Sequence, residues 1–210
     1  MSEVIERVET DAPLVALTFD DGPNGEVMEQ MLETLAEQDA RATFFVLGKN
    51  VLAEPDLARK TLARGHELAN HSKTHPHLPK LSRAEMVAEI DETQRIIEET
   101  VGVKPVIFRA PYLDMDSELL GVLAEYNLPA VNASKGTKDW AKETTVQDII
   151  DRSLDGVKPG DIILMHSWSV KTRDALPAVL EGLKERGLRS VTVSELIASA
   201  SQNNESMVAE

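Results

Sequence analysis

The chain has 210 residues, enough for one domain with a sizeable core, and its 42% hydrophobic and 28% charged content is that of an ordinary soluble globular protein. A formal net charge of -14 argues against nucleic acid and other polyanions as partners and suits a neutral or cationic substrate. Cysteine is absent, so no disulfide holds the fold and the redox compartment stays open, and no apolar run approaches the length of a membrane span.

Short apolar runs alternate with helical patterns along the whole chain, without repeat or linker, which argues for βα units and a parallel sheet. Leu14-Val15-Ala16-Leu17 reads as the first strand, closed by the turn signal Gly22-Pro23. Apolar residues at Val27, Met28, Met31, Leu32 and Leu35 predict a helix over 26–38. Residues 42–48 read as strand two, about 50–64 as a helix ended by Gly65, and 66–70 as strand three. Ser82 and Glu85 form a capping-box pattern opening a helix with Met86, Ile90, Ile96 and Ile97 on its inner side.

Strand four is predicted over 106–110 with Arg109 at its end, a helix over 117–126, and strand five over 129–133. Thr145 to Asp148 opens another helix, and 161–166 is strand six, the most apolar of the set. A helix over about 173–186 stops at Gly187, 191–193 is the last strand, and Ser194 caps a short final helix. Residues 201–210 are polar and read as a disordered tail beyond a single domain over 1–200. That makes seven strands, with each singled-out motif at or just past the carboxyl end of its strand, where βα loops converge in parallel barrels. The pattern alone also permits an open doubly wound sheet.

Two stretches carry chemistry. Asp20 and Asp21 are adjacent carboxylates at the mouth of a buried strand, a costly arrangement that a cation relieves. Inside a regular strand their side chains point to opposite faces; at a strand end bent by Gly22-Pro23 they diverge into two roles within one site. The bland alternative is a surface turn whose Asp caps the next helix. Between positions 66 and 77 lie four of the five histidines, and His71 and His75, four apart, come to the same side of one tight turn. Such a pair with a carboxylate from elsewhere is the usual protein share of an open catalytic metal site. His66 and His77 read as non-ligands.

TFDDGP at 18–23, HSKTH at 71–75, Arg109-Ala110-Pro111-Tyr112, Asp139-Trp140 and Leu164-Met165-His166 together resemble, in order, the five motifs of the polysaccharide deacetylase family, the NodB-homology group or carbohydrate esterase family 4. The resemblance spans about residues 14–196 and implies a distorted (β/α)7 barrel. It assigns Asp21, His71 and His75 to a divalent metal, most often zinc, with cobalt or nickel in some members. It makes Asp20 the general base, His166 the general acid and Arg109 the partner that keeps Asp20 ionised. Tyr112 is expected to offer its backbone N–H to an oxyanion, with its ring, Trp140 and Pro111 along a sugar groove. Asp139 is expected to orient His166 or buttress the arginine network. Leu164 is expected to line the pocket for an acetyl methyl, with ordinary core packing as the alternative.

Three positions depart from the family pattern: Gly136 replaces a usual aspartate, Leu113 a usual glycine after the tyrosine, and Ser167 a common aspartate after the histidine. They bear on groove shape. The resemblance implies removal of N-acetyl groups from an N-acetylglucosamine polymer of chitin or peptidoglycan type. An acetylxylan esterase is the rival enzyme, and a carbohydrate-binding protein without catalysis the rival of another class. A monomer is expected. The start of the chain lacks a basic and then apolar leader pattern, so a secreted or cell-surface location is expected if a signal peptide has been removed, and a cytoplasmic one otherwise.

Overall fold

The structure is a computed structural model that describes residues 4–207. Its first strand, β1 (Leu14–Gly22), is the centre of a parallel sheet; β2 (Ala42–Val46) and β5 (Ile162–His166) pair along its two edges. Beyond β2 lies β3 (Glu67–Asn70), and beyond β5 lies the two-residue β4 (Lys135–Gly136). A last strand, β6 (Arg189–Ser190), pairs with the start of β1 through Leu14 and Val15. Each of these ladders is parallel, and the helices lie on the outside: α1 (Gly25–Glu37), α2 (Gly48–Ala53), α3 (Pro55–Ala63), α4 (Arg83–Val101), α5 (Ser117–Glu125), α6 (Val146–Leu154), α7 (Val170–Glu185) and α8 (Val193–Met207).

Alternation along the strands decides what faces where. Val15, Leu17 and Phe19 of β1 point outward with Phe44, Val46, Ile163 and Met165, and pack against Met28, Met31, Leu32 and Leu35 of α1 and Leu176, Val179, Leu180 and Leu183 of α7. Ala16, Phe45, Ala69, Ile107, Val131 and Ile162 form a second cluster within the ring of strands. Thr18 and Asp20 share the inward phase of Ala16, which puts one carboxylate inside the barrel by strand periodicity alone. At about 25 cal/mol per Å² of apolar surface removed from water, these two clusters supply the main drive to close the ring.

The chain is a distorted (β/α)7 barrel, and the distortion lies in staves four and five. The strands expected over 106–110 and 129–133 are reduced to isolated bridges, Phe108 pairing with Asn70 on one side and Ala130 on the other. Pro105, Pro111 and Pro129 flank these segments, and a residue without an N–H shortens any ladder it borders. The fifth stave then crosses to β5 through β4, a pairing the sequence reading missed.

Four boundaries and one cap are corrected. The first strand runs on through both aspartates to Gly22 instead of stopping near Leu17. The helix expected over 50–64 is two helices, because Pro55 starts α3 after Glu54 leaves the helical region. The helix expected from 173 begins at Val170, capped by the Ser169 hydroxyl. The strand expected over 191–193 lies at Arg189–Ser190, and the cap of α8 is Thr192 rather than Ser194. Thr192 and Glu195 exchange side-chain and backbone hydrogen bonds, a capping box that overrides the β-branched run. The capping boxes at Ser82–Glu85 and Thr145–Asp148 are present as read. The tail expected over 201–210 falls on the end of α8 and, for 208–210, outside the described residues.

Candidate active site

Asp20 and Asp21 converge on one site because β1 is irregular where they stand. Its register against β2 shifts between Asp20 and Gly22, and Asp21 takes a left-handed φ of 73°. Asp20 keeps the inward phase, while the bulge re-aims Asp21 toward the same mouth. The residue after β5 locks this end: Ser167 donates to the Asp20 carbonyl through its N–H at 3.0 Å and its hydroxyl at 2.8 Å.

The histidines sit on a loop, and no helical turn joins them. His71 N–H donates to the Val46 carbonyl at 3.1 Å, and His71 Nδ1 lies 2.8 Å from the Arg109 carbonyl, which assigns that nitrogen the proton and leaves Nε2 free. Ser72 and His75 both have φ of 69°. Such a backbone persists only if its surroundings fix it, and α4 does so. The Glu89 carboxylate accepts from the N–H groups of Lys73 and Thr74 at 2.8 Å each and from the Thr74 hydroxyl at 2.7 Å. Asn70 accepts from Ser72 N–H at 2.9 Å, and the Ser72 hydroxyl accepts from His75 N–H at 3.1 Å. Sequence reasoning missed Glu89, since nothing local distinguishes it from the other acidic residues of its helix.

Asp21 Oδ1 ends 3.5 Å from His71 Nε2 and 3.3 Å from His75 Nε2, buried and without a hydrogen-bond partner. Two ligands each 2.0–2.1 Å from one tetrahedral ion stand roughly 3.4 Å apart, so these separations fit a zinc-sized cation. Among the described residues, Asp21, His71 and His75 are the one group of three or more potential ligands so gathered. Burial alone would raise the Asp21 carboxyl, but His71, the Trp168 N–H and His75 outweigh it and hold it well below the usual carboxylate range. Burial and then the neighbouring His71 push His75 below an ordinary histidine, toward the neutral form a metal needs.

Beside this group, Asp20 Oδ2 lies 3.8 Å from His71 Nε2, while Oδ1 accepts from Arg109 Nη1 at 2.8 Å. Arg109 is fully buried, over the Phe45 ring at 4.0 Å. It donates also to Thr18 Oγ1 and the Val131 and Asn132 carbonyls, so few of its donors go unused. On the far side, His166 Nδ1 lies 2.7 Å from Asp139 Oδ1, while Asp139 Oδ2 accepts from His166 N–H at 2.8 Å and the Thr172 hydroxyl at 2.6 Å. Of the two expectations for Asp139, the structure realises contact with His166; its hydrogen bonds do not reach Arg109. Burial opposes charge on His166, but Asp139, aided by Asp20 and Asp21, prevails and raises its pKa above the ordinary value.

A cleft of about 510 Å³ joins these groups, lined by Asp20, Asp21, His75, Tyr112, Leu113, Trp140, Leu164 and His166. Tyr112 and Trp140 are largely exposed, with relative accessibilities of 59% and 63%. The Tyr112 ring stacks on His77 at 3.9 Å and meets His75 edge-on at 4.6 Å. Its turn is closed by Leu113 N–H to the Ala110 carbonyl and Asp114 N–H to the Pro111 carbonyl, bonds that do not use the Tyr112 N–H. Pro111, expected along the groove, is buried beneath this turn and does not line the cleft. His66 is buried on the outer face against Phe44, and His77 pairs with Asp114 at 3.1 Å; neither belongs to the Asp21 group.

A profile described as polysaccharide deacetylase matches residues 7–131. The chain belongs to the polysaccharide deacetylase family. Deacetylases of this family are metal-dependent, and the Asp21–His71–His75 group is a possible site for the ion. The chain is 37% identical over 182 residues to a peptidoglycan N-acetylglucosamine deacetylase of Listeria monocytogenes, covering 87% of this chain and 38% of that one. It thus spans about two fifths of that relative's length. A chitooligosaccharide deacetylase of Sinorhizobium fredii is 36% identical, with 87% of this chain and 91% of that one covered. Among solved structures, a family 4 carbohydrate esterase pseudoenzyme from Bacillus anthracis superposes with a TM-score of 0.89 at 28% identity, over 95% of this chain and 70% of that one. No helix among the described residues is long and apolar enough to cross a membrane.

Proposed function

We propose that the chain is a zinc-dependent hydrolase that removes N-acetyl groups from N-acetylglucosamine-containing glycan, of chitin or peptidoglycan type, and releases acetate. The observation that carries this reading is the meeting, in one cleft, of the Asp21–His71–His75 group with a carboxylate on one side and a histidine on the other. A zinc ion held by those three side chains supplies a Lewis acid for the acetyl carbonyl and lowers the pKa of water toward about 7. Asp20 Oδ2 takes the proton of the attacking water, and Arg109, bonded to Oδ1, keeps that carboxylate aimed. The Tyr112 N–H donates to the oxygen on which charge develops. His166 gives a proton to the departing nitrogen as the C–N bond breaks, and Asp139 fixes its ring. Leu164 lines the pocket where the acetyl methyl rests.

The pseudoenzyme among the structural neighbours makes the rival reading, a glycan-binding protein without turnover, concrete. Against it stand Asp20, Asp21, His71, His75 and His166, all present and gathered. The test is acetate release from N-acetylglucosamine oligomers, peptidoglycan and acetylated xylan, with and without chelation and zinc return. We expect turnover to vanish on chelation and return with zinc, and kcat/KM to favour the N-acetyl oligomers. Full activity in metal-free protein would overturn the metal assignment. A tenfold preference for xylan, about 1.4 kcal/mol of transition-state binding, would replace amide by ester hydrolysis. Glycan binding with no acetate release would establish the rival.

A further inference from the structure

Trp168 takes no part in the five motifs, yet its side chain reaches the metal group. The backbone puts it there. Ser167 is tied to the Asp20 carbonyl by two hydrogen bonds, and Ser169 caps α7, so the residue between them is held across the mouth of the barrel. The indole Nε1 donates to Asp21 Oδ2 at 2.8 Å, and the ring lies 5.3 Å from that of His166, tilted by 39°. The two Asp21 oxygens are therefore divided: Oδ1 faces the two histidines without a partner, and Oδ2 is occupied. An indole N–H is a donor only and never a ligand, so what it contributes is direction.

We infer that Trp168 is a positioning residue for the metal: its N–H holds the Asp21 carboxylate one-oxygen-on toward the ion and so sets the affinity of the site. The inference rests on the reading that Asp21, His71 and His75 bind a divalent cation. Partners of this kind, hydrogen-bonded to a ligand, typically govern 10–100-fold in metal affinity. The bland reading of a tryptophan 41% exposed at a cleft is a surface for sugar faces, which needs its ring and not its N–H. Phenylalanine at 168 keeps a ring face and deletes the donor, and so separates the two.

The experiment is a zinc titration in competition with a chromophoric chelator on wild type, Trp168→Phe and Trp140→Phe, without substrate. Each single variant retains one of the chain's two tryptophans. We expect the zinc Kd to rise at least tenfold in Trp168→Phe and to stay within threefold of wild type in Trp140→Phe. Indole emission should change saturably with zinc in Trp140→Phe and stay constant in Trp168→Phe. Wild type binding zinc while Trp168→Phe binds within threefold of it overturns this inference and leaves the metal site standing. Wild type that binds no zinc overturns both. Should Trp168→Phe fail to fold, the Trp140→Phe titration decides: emission that follows the chelator-derived occupancy supports the inference, and silent emission overturns it.

Discussion

On one wall of the cleft the Asp20 carboxylate lies 2.8 Å from the Arg109 guanidinium; on the other, His166 lies 2.7 Å from the Asp139 carboxylate. Both pairs border the same cavity, but the member that faces the cleft is the carboxylate in one and the half-buried imidazole in the other. Arginine only donates, so it holds Asp20 Oδ1 in place and leaves Oδ2 on the side of His71. Histidine titrates near neutrality, so the Asp139 pair can hold a proton and also release it. The choice of partner, more than the choice of reactive group, divides the labour between the walls.

Three substitutions break the comparison in turn. Asp20→Asn keeps the shape but removes the acceptor, so acetate release should fall by at least 10²–10⁴-fold while bound zinc, measured by elemental analysis, stays near one per chain. Turnover within tenfold of wild type would mean the proton goes elsewhere. Arg109→Met removes the buried cation that pairs with Asp20; denaturant unfolding should show a loss of about 3–5 kcal/mol, the cost of halving a buried pair. A loss under about 1 kcal/mol would show that solvent reaches the pair.

Asp139→Asn should have the smallest effect and the most informative shape. In the proposed mechanism protonated His166 is the active form, so rate should decline as pH rises through its pKa, which Asp139 holds above the ordinary value of about 6.5. With that charge gone, burial is left to act, and the alkaline limb of the pH–rate profile should move to lower pH. Stability follows the same sign. The raised folded pKa stabilises fully below about pH 6.5 and the gain is lost as pH rises through the folded value, a dependence that Asp139→Asn should flatten. An unmoved alkaline limb would remove His166 from the rate profile.

Much of this site was legible because its chemistry is carried by short ordered motifs: Asp20, Asp21, His71, His75 and His166 stand together, as the resemblance to the family implied. What escaped was long-range. The convergence of adjacent aspartates depends on β1 pairing with β2 and β5 in registers that disagree by one residue at the end, which no local pattern encodes. Glu89 acts from a distant helix on the histidine loop. Trp168 was not singled out, because only the turn after β5 brings its indole N–H to Asp21. Leu113, where the family pattern has glycine, adopts φ of 55°, so the departure in sequence is met by backbone strain rather than by a different turn.

The central place of β1 also has a consequence for how the protein is made. The Thr18 hydroxyl donates to the Ile163 carbonyl, 145 positions away, and Leu14 pairs with Arg189. A chain leaving the ribosome thus carries all three candidate metal ligands long before β1 has both of its neighbours. Contacts this far apart in sequence slow folding, because loop closure must precede any gain from the contact. The hydrogen bonds that seat the end of β1 come from Ser167, so the ion's nest should mature only as the last quarter of the chain docks. In refolding from denaturant, zinc capture should lag behind helix formation and keep step with the burial of β5.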